Sequence, residues 1–117
     1  MKVAYHASYL VWFEVGRNEL IRELGYPYRQ LEENSIFLPV IEAFCTYVKP
    51  VHYDDLLTLA SSITDRHGVR LRIEYHLYRE EVLVAQGHTI HAFTDSEGRP
   101  IRPPKDFLEK LENAESR

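Results

Sequence analysis

The sequence predicts an α+β domain in which one amphipathic helix precedes an antiparallel meander. Two patterns carry that expectation. Between residues 8 and 24 the apolar positions Tyr9, Leu10, Phe13, Gly16, Leu20, Ile21 and Leu24 recur three and four apart, while Glu14, Asn18, Glu19, Arg22 and Glu23 take the other side. Between residues 69 and 79, Val69, Leu71, Ile73, Tyr75 and Leu77 alternate with Arg70, Arg72, Glu74, His76 and Tyr78, the period of a strand with one buried and one wet face.

The helix over residues 8–24 is about four to five turns long. Gly25, a residue type that readily takes a left-handed backbone, marks its end, and Pro27 follows. Gly16 costs about 1 kcal/mol relative to alanine inside a helix, so another backbone is expected to pass close to it, with the helix pressed on the sheet. A loop is expected over residues 26–35. Strands are then expected over residues 36–48, 56–65, 69–79 and 82–94. The first is apolar on both parities and contains Pro39, which is confined to edge strands or bulges. An edge strand covered on both faces suggests a second subunit beside it. Arg66-His67-Gly68 and Asp95-Ser96-Glu97-Gly98 signal tight turns, and Pro103-Pro104 opens a short final helix through Leu111.

The 117 residues, 44% hydrophobic and 27% charged, suffice for one domain around one core without disulfides or a structural metal. Cys45 is the only cysteine, which excludes a disulfide scaffold and suggests a buried thiol in a reducing compartment, the cytoplasm. No uncharged stretch is long enough to cross a bilayer, so no membrane insertion is expected. With 14 basic and 18 acidic side chains and a net charge of -4, the chain lacks the basic stripe that a nucleic-acid partner selects for.

There is no Ser-centred nucleophile elbow, phosphate-cradling Gly loop or CxxC pair, which leaves the six histidines as candidates for acid-base or metal chemistry. His88 and His91 lie three apart on a predicted strand, on opposite faces, and cannot share a metal; no metal or cofactor is expected. His52, His67 and His76 read as loop or solvent-face residues. His6 stands immediately ahead of the first helical turn, where unpaired backbone N–H groups and the positive dipole end collect. Such a start can hold a polarised carbonyl oxygen, with an adjacent imidazole positioning it; capping or packing is the alternative role for His6.

The run Val3-Ala4-Tyr5-His6-Ala7-Ser8-Tyr9-Leu10-Val11-Trp12-Phe13-Glu14-Val15-Gly16-Arg17 resembles the helix-start signature of the 4-hydroxybenzoyl-CoA thioesterase family, in particular its small bacterial acyl-CoA thioesterases. Leu24-Gly25, Leu38-Pro39-Val40, Tyr47 with Lys49-Pro50, Tyr53-Asp54-Asp55, and Arg99-Pro100 with Pro103 resemble the same family in the same order. The resemblance implies a hotdog fold over residues 1–117, a long central helix wrapped by a curved antiparallel sheet. It also implies hydrolysis of an acyl-CoA thioester by a dimer or a tetramer of dimers with sites between subunits. A non-catalytic hotdog module that binds acyl-CoA or an acyl carrier is the alternative.

In that family the signature begins upstream, in a Tyr-x-Asp-Thr-Asp-x-x-Gly pattern whose second aspartate serves as general base or nucleophile. Its counterpart here would fall two residues before Met1, and Lys2 stands at the pattern's glycine. The domain is therefore expected to be N-terminally incomplete, the greater part of a longer protein; a shortened chain, or a paralogue that has lost the strand, is the alternative. A strand of about eight residues buries about four side chains worth roughly 6–12 kcal/mol, which rivals a whole domain's stability.

The resemblance implies that the backbone N–H groups near Tyr5, His6 and Ala7 hold the thioester oxygen and that His6 orients it. Glu14 is a possible substitute acid, although it lies about 12 Å along the helix from His6 and is expected rather to pair with Arg17. For the phosphates of CoA, Arg66 and Arg70 about the Gly68 turn are the candidates, with Lys49, Arg99 and Arg102 behind them. Asp54-Asp55 reads as a turn in which aspartate bonds its own backbone, not as a catalytic pair.

Overall fold

The computed structural model describes residues 6–25, 28–52 and 55–115. Helix α1 spans His6–Glu23, and Gly25 follows with φ +93°, its N–H bonded to the Arg22 carbonyl at 2.9 Å. This is the left-handed stop that the sequence signals. Tyr9, Phe13 and Ile21 are buried on one stripe of α1, together with Arg17, which the apolar pattern does not mark. Val11 and Val15, by contrast, are 55% and 54% exposed.

Strands β1 (Val40–Tyr47), β2 (Leu57–His67), β3 (Arg70–Arg79) and β4 (Val82–Ala92) form one antiparallel sheet in the order β1-β4-β3-β2. β3 buries Leu71, Ile73, Tyr75 and Leu77 and leaves the alternate set on the other face. α1 lies on the inner face against β2 and β3. The main core joins Phe13 and Ile21 to Leu71, Ile73, Tyr75 and Phe93, and is closed by Leu31, Leu38, Phe107 and Leu111. A second cluster of Tyr9, Val51, Leu77, Val84 and Ala85 sits under the first turns of α1.

Several expectations are corrected. The 26–35 segment holds a short helix α2 (Tyr28–Glu33), in which Arg29 pairs with Glu33. Among its described side chains only Leu31 is buried, which is too little to register as a periodicity. α2 ends at Ser35, φ +60°, where the Ile36 N–H bonds the Leu31 carbonyl at 2.9 Å. The first strand starts at Val40, after Pro39, and Phe37 makes only an isolated bridge to Thr94. It is an edge strand as expected, but within one chain Val40, Ile41, Phe44 and Tyr47 are exposed rather than covered.

At Gly16 the close neighbours are side chains, not backbone: an added Cβ would collide with Ser61 Oγ and stand 2.5 Å from Leu59 Cδ2. The close backbone passes Gly87 instead, where a Cβ would collide with the Phe44 carbonyl oxygen. The final helix α3 (Lys105–Glu115) begins after both prolines, the Leu108 N–H reaching back to the Pro104 carbonyl, and runs past Leu111. Cys45 is half-buried, not fully buried.

Candidate active site

The start of α1 is the centre of the candidate site. His6 and Ala7, expected immediately ahead of the helix, are instead its first two residues, which is still where unpaired N–H groups gather. Their side chains, and Tyr5 as a whole, lie outside the described residues. The next turn is fixed by ring packing. Tyr9 is buried and meets Tyr47 of β1 edge-on at 4.7 Å and Trp12 at 5.1 Å, so the first two turns of α1 are anchored by aromatic rings on the edge of the sheet. Burial pushes the Tyr9 hydroxyl above its ordinary range. Burial also raises the Cys45 thiol beside Tyr47, which keeps it protonated and a poor nucleophile.

Glu14 is exposed and stands 4.0 Å from the Arg17 guanidinium, the surface pairing expected of it. Asp55 accepts the His52 N–H at 2.8 Å and the Arg79 guanidinium at 3.3 Å, and these bonds hold its carboxyl below the usual carboxylate range. Asp55 thus bonds its own turn, as read from sequence; Asp54 lies outside the described residues.

Arg66 and Arg70 come together on the β2–β3 hairpin around Gly68, φ +60°, where a Cβ would meet nothing within 4 Å. Arg66 is 3.8 Å from Glu112 of α3, and Arg70 is exposed. Arg99 is held by Asp95 and Glu97. Within one chain the hairpin is far from the helix start. Tyr9 clusters with Leu77, and from Leu77 to Arg70 is seven residues of β3, about 23 Å at strand rise.

One polar group is placed where sequence reasoning gave no signal beyond a structural role. His91 is fully buried, with Nδ1 3.1 Å from the Leu38 carbonyl and Nε2 2.7 Å from Thr89 Oγ1, which is 2.8 Å from the Tyr75 hydroxyl. A carbonyl only accepts, so Nδ1 carries the proton. Thr89 then donates to Nε2, and Tyr75 donates to Thr89. Burial pushes the His91 pKa down to about 4, and the Arg17 charge works in the same direction. His88 faces the other side of the sheet, between Arg72 and Glu42. Among the described residues no three His, Cys, Asp or Glu side chains converge as metal ligands.

The profile of the Thioesterase-like superfamily matches residues 1–111. The chain belongs to that superfamily. It is 36% identical over 109 residues to YneP of Bacillus subtilis, whose name carries a provisional acyl-CoA thioesterase assignment; the match covers 92% of this chain and 79% of YneP. The acyl-CoA thioesterase YbgC of Haemophilus influenzae is 28% identical over 106 residues, which cover 89% of this chain and 78% of YbgC. A crystal structure of DHNA-CoA thioesterase from Staphylococcus aureus superposes with a TM-score of 0.90 at 25% identity, covering 97% of this chain and 80% of that one. The antiparallel sheet with its helices is thus an architecture shared with thioesterases of this superfamily.

Proposed function

We infer that this chain hydrolyses acyl-CoA thioesters to a carboxylic acid and free CoA. The observation that carries the inference is superfamily membership over residues 1–111, with relatives named as acyl-CoA thioesterases. Water adds its oxygen to the carbonyl carbon, the carbon–sulfur bond breaks, and the CoA sulfur leaves with a proton. The start of α1 suits the first step. The N–H groups of His6 and Ala7 there, with that of Tyr5 as the family resemblance implies, would stabilise the oxyanion, and His6 would orient the carbonyl. The finer reading is the hotdog of the 4-hydroxybenzoyl-CoA thioesterase type, with α1 wrapped by the sheet and the acid contributed ahead of that helix. Glu14, exposed and paired with Arg17, is a weaker source of the acid.

Arg66, Gly68 and Arg70 would receive the CoA phosphates. Their distance from the helix start of the same chain favours a site in which one subunit supplies the carbonyl end and another the hairpin. The exposed apolar residues of β1 and of α1 fit such self-association, as a dimer or a tetramer of dimers. The test is CoA release, measured by trapping the free thiol, from short and long acyl-CoAs. It is run on the 117-residue chain and on a version extended upstream to include the family's aspartate. Release by the extended version is expected. Acyl-CoA binding by both without release would replace the hydrolase by a binding module.

A further inference from the structure

Tyr47 ends the edge strand β1, and the backbone around it is pinned. It pairs with Ala85 in the last rung between β1 and β4. The next two N–H groups, of Val48 and Lys49, both donate to the Val84 carbonyl, at 3.0 and 3.1 Å. Beyond them Arg79 donates to the Pro50 carbonyl at 3.2 Å, and Val51 is buried in the same cluster as Tyr9. The Tyr47 hydroxyl is hydrogen-bonded to the Cys45 sulfur, two residues back on the same face of the strand. What Tyr47 offers Tyr9 is therefore its ring, held in place by a fixed backbone and a tethered hydroxyl. Yet Tyr47 is 39% exposed, so its burial adds little to the core.

That ring touches α1 close to the candidate site. Tyr9 follows His6 by three residues, about 4.5 Å along the axis and on nearly the same face of the helix. The body of α1 lies on β2 and β3, whereas the Tyr9–Tyr47 contact ties its start to β1. Without that tie the helix start is free to turn. A point about 5 Å from the helix axis moves about 1 Å for a rotation of about 12°. Misplacement of a reacting group by about 1 Å can cost about a hundredfold in rate.

We propose that Tyr47 is a positioning residue, whose ring sets the rotation of the α1 start through Tyr9 and so places the His6 and Ala7 N–H groups for the thioester oxygen. Its consequence for turnover rests on the acyl-CoA reading above. Its hold on the helix start rests on the ring geometry alone.

Two substitutions separate the ring from the hydroxyl. Tyr47→Phe keeps the ring and removes the hydroxyl; Tyr47→Leu removes the ring. Each is compared with the unchanged protein in the version, 117-residue or extended, that releases CoA in the assay above. The measurements are kcat and KM for the acyl-CoA hydrolysed fastest, melting by circular dichroism, and mass by light scattering. Acrylamide quenching of the single tryptophan, Trp12, a second ring neighbour of Tyr9, reads the helix start independently of activity. Tyr47→Leu is expected to lower kcat about ten- to a hundredfold with KM within about threefold. Mass should be unchanged, melting nearly so, and Trp12 quenching raised. Tyr47→Phe should match the unchanged protein in every measurement.

An equal loss of kcat in both variants assigns the effect to the hydroxyl and overturns positioning by the ring. Unchanged kcat in Tyr47→Leu, a loss confined to KM, or a loss that accompanies a change in mass or a large drop in melting temperature overturns it as well. So does a loss of kcat with Trp12 quenching unmoved. If neither version releases CoA, the hydrolase reading falls, and Trp12 quenching in the two variants decides by itself whether Tyr47 holds the helix start.

Discussion

Buried without charge and bonded through both ring nitrogens, His91 makes folding sensitive to acid. Its pKa is near 6.5 in the unfolded chain and about 4 in the folded one. Above pH 6.5 both states leave the ring neutral, and stability is complete. As pH falls below 6.5 the unfolded chain takes a proton that the folded chain refuses, so stability declines until about pH 4, by a total on the order of 3 kcal/mol. Asp55 and Asp95, whose folded pKa values are lowered, contribute stability that is lost only at more acidic pH, as it falls through those values. Urea unfolding of the unchanged protein and of His91→Asn between pH 7.5 and 4.5 separates the two windows: the advantage of the unchanged protein should shrink with acid. Parallel slopes would rule this out. His6 belongs to the same scale. Its replacement by alanine should lower kcat/KM by about 10²–10³ if it orients the thioester carbonyl, with melting temperature nearly unchanged.

At the scale of elements, the glycines rank the contacts between them. Gly87 on β4 lets the Phe44 carbonyl of β1 and the Phe13 ring of α1 approach, and an added Cβ would collide with that oxygen and stand 2.8 Å from the ring. Backbone cannot rotate away, so Gly87→Ala should cost about 3 kcal/mol or more. Gly16→Ala meets the side chains of Ser61 and Leu59, which can shift, and should cost about 1–2 kcal/mol. Gly68→Ala has open space around it and loses only the ease of a positive φ, about 1 kcal/mol. Thermal melts of the three should follow that order. The elements themselves were legible to different degrees. α1 and β3 stand close to where periodicity puts them, because each buries one clear stripe. α2 was not legible, because among its described side chains a single buried leucine and an Arg29–Glu33 pair leave no pattern.

For the whole molecule, the question is what covers the apolar surface of a single chain. Phe44 is 55% exposed on the edge strand, Leu56 is 88% exposed ahead of β2, and Val11 and Val15 of α1 are exposed as well. Patches of this kind on a protein with a folded core mark an interaction surface. Light scattering is expected to give at least twice the chain mass, and the melting temperature should rise with protein concentration because association stabilises the folded state. A monomer at every concentration, with a constant melting temperature, would leave the separation of Arg66 and Arg70 from the α1 start unbridged and remove them as phosphate ligands for that site.

Local pattern fixes what depends on neighbours along the chain. That covers the helix over residues 8–24 and its stop at Gly25, the alternation of β3, the turns at Gly68 and Gly98, and the run of residues 3–17 that resembles a thioesterase helix start. Strand order is another matter, since any strand pattern permits several partners. The sheet β1-β4-β3-β2 is decided by the side chains that fit together on its inner face. Tertiary structure likewise decided that His91 is a neutral core residue and that Gly87 rather than Gly16 sits under a passing backbone. These properties arise between residues far apart in sequence, where packing distance and burial govern and no spacing rule applies.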